Sequence, residues 1–174
     1  MREVADRKRI EAFFAAVARE ATTDVDIFVV GGTSAVIFGW RPTTMDVDFV
    51  MRPESDAILR AIPQLKERLR LNVELASPDQ FIPVPAGWEG RSPLITTIGQ
   101  VTFRHYDLHA QALAKLERGH TRDLADVEAM RIRELITGSE IRRQFSMIEP
   151  DLYRFPAVNP ASFRRAVDAT FPPP

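Results

Sequence analysis

Asp46 and Asp48 stand one residue apart in the run Met45–Met51, MDVDFVM, whose other members are all apolar. Side chains alternate along a strand, so both carboxylates point to one face. Two positions along a strand are roughly 6.6 Å apart, close enough for both acids to lean toward one divalent cation. Without a positive charge between them they would repel each other. A second stretch with chemical potential precedes the pair. Gly31-Gly32-Thr33-Ser34 directly follows the β-branched and aromatic run Ile27–Val30. Two glycines let the chain turn sharply and bring bare backbone close to a ligand. A helix that starts just after a strand points amide N–H groups outward, an arrangement that favours phosphate. Arg41, just ahead of the aspartates, has two readings: a bidentate phosphate contact, or a pin on a loop carbonyl.

Positioning these groups takes a strand over Ile27–Val30, a short helix over Thr33–Phe38 stopped by Gly39, a loop, and a strand over Met45–Met51. Gly31-Gly32-Thr33-Ser34 followed by Arg41-Pro42-Thr43-Thr44-Met45-Asp46-Val47-Asp48 resembles the nucleotidyltransferase superfamily of DNA polymerase β type. More narrowly, it resembles the small prokaryotic nucleotidyltransferase-like proteins related to the AbiEii toxins. The resemblance implies an α/β (α+β) nucleotidyltransferase fold: a small mixed sheet of about five strands, with the aspartate strand central and a C-terminal helical subdomain. It implies transfer of a nucleoside monophosphate from an NTP such as ATP to an RNA (tRNA) or protein acceptor. A magnesium ion would be held by Asp46 and Asp48, and the nucleotide by Gly31, Gly32, Thr33, Ser34 and Arg41. A role as the toxin of a toxin–antitoxin or phage-defence pair, with an antitoxin protein as partner, also comes with the resemblance alone.

Sites of this type usually add a third carboxylate from a neighbouring strand. Glu74 is the only acid in the alternating stretch Leu71–Ala76, LNVELA, and is the candidate; its other reading is a solvated acid, and the family more often shows Asp there. Asn72 and Glu74 face one side of that strand, Val73 and Leu75 the core. A second likeness lies in Leu113-Ala114-Lys115-Leu116-Glu117-Arg118 and Arg122-Asp123-Leu124-Ala125-Asp126. The AbiEii-like proteins carry a lysine on one helix and Arg-Asp-x-x-Asp on the next. This implies an active-site role for Lys115 and for Asp126 or Asp123. The competing reading is an ion pair within a helix hairpin.

The 174 residues suit a core of residues 1–106, with its N-terminal helix, and a helical extension of residues 107–174 packed on it. Net charge is −1, so no global field recruits nucleic acid or a membrane. With no cysteine, disulfides, thiolate metal sites and cysteine nucleophiles are excluded, and a reducing cytoplasm is the expected location. No apolar run reaches membrane-spanning length, and the charged first residues do not read as a secretory leader. His105 and His109 are spaced as on a helix, but a strand end and a helix should separate them, and no HExxH pattern supports zinc.

The remaining elements follow from periodicity and punctuation. Met1–Ala21 reads as an amphipathic helix with Ile10, Phe13, Phe14 and Val17 on its apolar stripe. Pro53–Leu69 reads as a helix kinked or broken at Pro63. Ser77–Pro93, with four prolines and two glycines, reads as a long loop anchored by Trp88. Leu94–Ile98 and Val101–Tyr106 flank Gly99-Gln100 as a hairpin. Helices should then follow from Asp107 to Gly119, from Arg122 to Thr137 with Gly138-Ser139 as its stop, over Glu140–Ile148 and over Ala161–Thr170. Two other functions fit less of this pattern. A non-catalytic nucleotide- or partner-binding domain gives no reason for an intact Asp-x-Asp, and a sugar-nucleotide glycosyltransferase has no need of the glycine turn upstream.

Overall fold

The computed structural model describes residues 3–174. They form two compact units, one from residues up to Ser77 together with Ser92–Tyr106, the other from Pro78–Arg91 and Asp107–Pro174. In the first unit the order is β1 (Ala5–Asp6), α1 (Arg7–Glu20), β2 (Val25–Val30), α2 (Gly31–Phe38), β3 (Thr43–Thr44), β4 (Asp46–Arg52), α3 (Asp56–Leu69) and β5 (Asn72–Leu75). After the excursion into the second unit come β6 (Leu94–Ile98) and β7 (Val101–His105). Five strands make one mixed sheet in the order β5-β4-β2-β7-β6, and β1 with β3 makes a two-stranded ribbon. Strand β4 runs antiparallel to β2 and parallel to β5, while β7 is parallel to β2 and antiparallel to β6. This is the mixed α/β architecture expected of a nucleotidyltransferase.

The sheet has an apolar face because its strands alternate. Along β4, Val47, Phe49 and Met51 are buried, whereas Asp46, Asp48 and Val50 on the other face are half-buried. Helix α1 covers the apolar face with the stripe read from the sequence: Ile10, Phe13, Phe14 and Val17 are all buried. Phe13 lies 5.8 Å from Phe49 between ring centres, and Phe14 stacks on Phe103 at 4.1 Å. Each such fully buried side chain contributes roughly 1.5–3 kcal/mol, so α1 is part of the core.

Several expectations are corrected. The first helix begins at Arg7, where Asp6 caps it by accepting from the Arg9 amide, and residues 3–6 precede it as loop and strand. The expected helical positions Met1 and Arg2 lie outside the described residues. The middle strand is β2; β4 is interior, paired on both sides, but one place off centre. Helix α3 starts three residues after Pro53, behind the Ser55 cap, and continues unbroken through Pro63. One missing N–H is tolerated there because Ile58 and Leu65 are buried and α3 packs on α1. Leu75, expected to face the core, is exposed at the end of the edge strand β5, while Val73 two residues earlier is buried.

The second unit is helical, with α4 (Trp88–Arg91), α5 (Leu108–Arg118), α6 (Thr121–Ile132), α7 (Gly138–Ile148) and α8 (Pro160–Thr170). Helix α5 packs on α6, α7 and α8, and Phe145 meets Phe163 edge-on at 4.9 Å. Residues 78–91, read from the sequence as a loop of the core, group with this unit. Arg91 ties them to it by donating to the Asp107 carboxylate at 2.7 Å and to the carbonyls of Ala86 and Pro85. Helix α6 ends at Ile132, before a left-handed Glu134, and not at Gly138. Gly138 instead opens α7, because Thr137 caps that helix by accepting from the Glu140 amide. Leu124 of α6 is exposed, while Val127 and Met130 on the same helix are buried. No described helix is long and apolar enough to cross a membrane.

Candidate active site

The antiparallel register of β2 and β4 puts Val30 opposite Asp48. Since α2 begins at the residue after Val30, its first turn starts beside that aspartate. Gly31 makes the turn with φ of +58°, a conformation that costs any residue with a side chain about 1–2 kcal/mol. A Cβ built on Gly31 would lie 3.7 Å from Asp48 Oδ2, so the carboxylate stands directly over the turn. Gly32 has a stricter reason to be glycine. A Cβ there would fall 2.1 Å from Thr44 Oγ1 and 2.8 Å from Thr44 Cβ, with an Arg41 Nη1 at 3.5 Å. Arg41, Thr44 and the glycine turn therefore converge.

Thr33 locks this turn to the aspartate strand. Its buried hydroxyl donates to the Asp46 carbonyl at 3.3 Å and accepts from the Asp48 amide at 3.2 Å. Thr44 donates to the same Asp46 carbonyl at 3.1 Å, and the β1–β3 ribbon holds Thr44 opposite Ala5. Three elements thus fix the backbone on either side of Val47, and both carboxylates follow from it.

On the other side of β4, the parallel register sets Asp46 opposite Asn72 and Asp48 opposite Glu74. The Asn72 amide donates to Asp46 Oδ1 and, at 2.9 Å, to Glu74 Oε1. Glu74 thus belongs to the same polar row but is joined to Asp46 through an amide. Among the described residues no three acid, histidine or cysteine side chains cluster as a metal site.

Ser34, expected at the phosphates, is fully buried, and its Oγ lies 2.5 Å from His105 Nδ1 at the end of β7. His105 stacks on Phe38 at 4.0 Å, and burial pushes its imidazole down to about 3, so it is neutral at ordinary pH. This pair pins α2 to the sheet from behind. Sequence reasoning missed Thr44, Asn72 and His105 as members of this neighbourhood. Alternation had placed Asn72 beside Glu74, and only the register with β4 was lacking.

Residues 8–148 match the family described as "Nucleotidyltransferase of unknown function (DUF6036)". The chain belongs to that family. This nucleotidyltransferase thereby falls in the transferase class, and the match supports the broad superfamily likeness without naming an AbiEii relation. No curated protein and no solved structure matches the chain.

In its helical unit the nucleotidyltransferase gathers the other predicted residues into one cluster. Lys115 is 4% exposed, with its Nζ 2.6 Å from Asp126 Oδ2 and 3.4 Å from Asp123 Oδ1. Arg118 donates to the same Asp123 oxygen at 2.7 Å. The helix-hairpin ion pair is therefore present, linking α5 to α6. At the opposite end of α5, Asp107 caps the helix by accepting from the His109 amide. Burial opposes ionisation of Asp107, but hydrogen bonds from His109 and Arg91 and the Arg91 charge outweigh it and hold the carboxyl below its ordinary range. His109 Nε2 accepts from the Thr137 amide at 3.4 Å. The two histidines of the zinc reading thus have separate partners, in separate units.

Proposed function

We propose that this nucleotidyltransferase transfers a nucleoside monophosphate from an NTP to an acceptor on an RNA or protein, with magnesium held by Asp46 and Asp48. The observation that carries the reading is the placement of Asp48 Oδ2 against the Gly31 turn, with Thr33 bonded to both aspartate backbones. Acids and a helix start meet there, as joint binding of a cation and a phosphate chain requires.

The donor set fits magnesium. Its side-chain ligands are oxygens only, half-buried on one strand face, and this ion is bound through one or two carboxylates with substrate phosphates supplying the rest. When bound, the ion would neutralise charge on phosphate oxygens as the bond to pyrophosphate breaks. The protein's own part is to hold its groups still. Thr33 and Thr44 fix the strand that carries the aspartates, and Asn72 holds the Asp46 carboxylate. The α2 start offers backbone amides to the phosphates, and the Arg41 guanidinium, beside Gly32, adds a positive charge. Ser34 contributes through His105, by anchoring the helix from behind. Glu74 enters through Asn72.

Lys115, Asp123 and Asp126 join the proposal on the strength of the resemblance, as does a toxin role balanced by an antitoxin protein. The test is to incubate the chain with each α-labelled NTP, magnesium and either total RNA or a protein extract. Label should pass to one acceptor class, and Asp46→Asn or Asp48→Asn should abolish transfer while the chain stays folded. Equal labelling by wild type and both variants would remove the assignment.

A further inference from the structure

In the β4–β5 register Asn72 faces Asp46 and Glu74 faces Asp48. The Asn72 nitrogen donates to Asp46 Oδ1 and to Glu74 Oε1, the latter at 2.9 Å. Ionised carboxylates only accept, so the amide must present its NH2 to them and its oxygen elsewhere. One neutral group therefore bridges two acids on adjacent strands that would otherwise repel each other. A cation bridging Asp46 Oδ1 and Glu74 Oε1 would need the space that the amide nitrogen fills. Here an amide holds the position between the two acids.

We propose that Asn72 stands in for a second cation. Its amide ties Asp46 to Glu74, aims the Asp46 carboxylate at a single ion shared with Asp48, and bars a second ion from the Asp46–Glu74 side. Glu74 is then a positioning residue, acting through Asn72 and not as a ligand. This rests on the reading of Asp46 and Asp48 as the metal-binding pair. It agrees with the lack of any cluster of three metal-ligating side chains among the described residues.

The measurement is a count of Mn2+ bound per complex, by electron paramagnetic resonance, with the full chain and an equimolar non-hydrolysable NTP analogue. Wild type should bind one ion. Asn72→Ala removes the bridge and should admit a second, and Asn72→Asp, which adds a carboxylate at that position, should bind the second more tightly. Asn72→Ala introduces no charge, so it reports even where Asn72→Asp fails to fold. Two ions in the wild type, or one in both variants, would overturn the role of Asn72 and leave the Asp46–Asp48 reading standing. No bound ion in the wild type would overturn both.

Discussion

Replacing Gly32 by alanine tests whether the glycine turn and the aspartate strand form one rigid assembly. The added methyl would sit 2.1 Å from Thr44 Oγ1 and 2.8 Å from Thr44 Cβ, distances at which something must move. Thr44 cannot swing away cheaply, because its hydroxyl donates to the Asp46 carbonyl and its backbone is paired with Ala5. Overpacking of this kind costs about 1–3 kcal/mol, and loss of the Thr44 hydrogen bond adds about 1 kcal/mol. A decrease of about 2–4 kcal/mol in unfolding free energy is therefore expected, read by urea titration. Relief by movement of α2 or β3 would also shift Thr33 or Thr44, both bonded to Asp46, and misplacement by about 1 Å costs roughly 100-fold in rate. Thr44→Gly should rescue Gly32→Ala, because it removes both clashing atoms. The double variant should be more stable than the sum of the single effects by about 1 kcal/mol or more. Simple additivity, or a Gly32→Ala chain with wild-type stability and turnover, would refute the rigid contact.

Thr33→Val keeps the shape but deprives the Asp46 carbonyl and the Asp48 amide of a partner, so a loss of about 1–3 kcal/mol is expected; its turnover should fall further than that of a surface variant matched for stability. His105 predicts a pH dependence. Its folded value, about 3, lies below the ordinary 6.5, so its contribution to stability is whole above pH 6.5 and is lost as pH falls toward 3, where only the unfolded chain takes up the proton. Denaturant titrations from pH 7 to pH 4 should show wild type losing up to about 1.4 kcal/mol per pH unit more than His105→Gln, and parallel curves would contradict this. Lys115→Ala should cost about 3 kcal/mol, because it leaves Asp123 and Asp126 buried without the ammonium. A change of a few tenths would mean that the ion pair carries no stability, and a rate loss well beyond the stability loss in Lys115→Arg would support the catalytic role.

Local sequence was enough for much of what depends on spacing along one element, though not for Leu75, which alternation sent to the core and the structure leaves exposed. Alternation in MDVDFVM sent Asp46 and Asp48 to the face opposite Val47 and Phe49, and the structure keeps them there. The stripe of Ile10, Phe13, Phe14 and Val17 identified the helix that covers the sheet, and Gly39 marked the end of α2, which begins at Gly31, two residues before the expected Thr33. Local rules also misled where neighbours intervene. Pro63 did not break α3, because tertiary packing outweighs one missing hydrogen bond. Gly138 opens a helix where a stop was expected, because the Thr137 cap with Glu140 three positions on is the stronger signal.

Only the tertiary structure could decide which strands lie side by side and in what register. A sequence carries the side-chain period of a strand but not its partner, so nothing local says that Asn72 meets Asp46 or that His105 reaches Ser34. The same limit applies to Gly32, whose need for a bare Cα comes from Thr44 across a loop. For Lys115 the sequence left an active-site role and a helix-hairpin ion pair side by side, and only the fold shows Asp126 within 2.6 Å. Each of those contacts depends on chain segments that meet only when the chain folds.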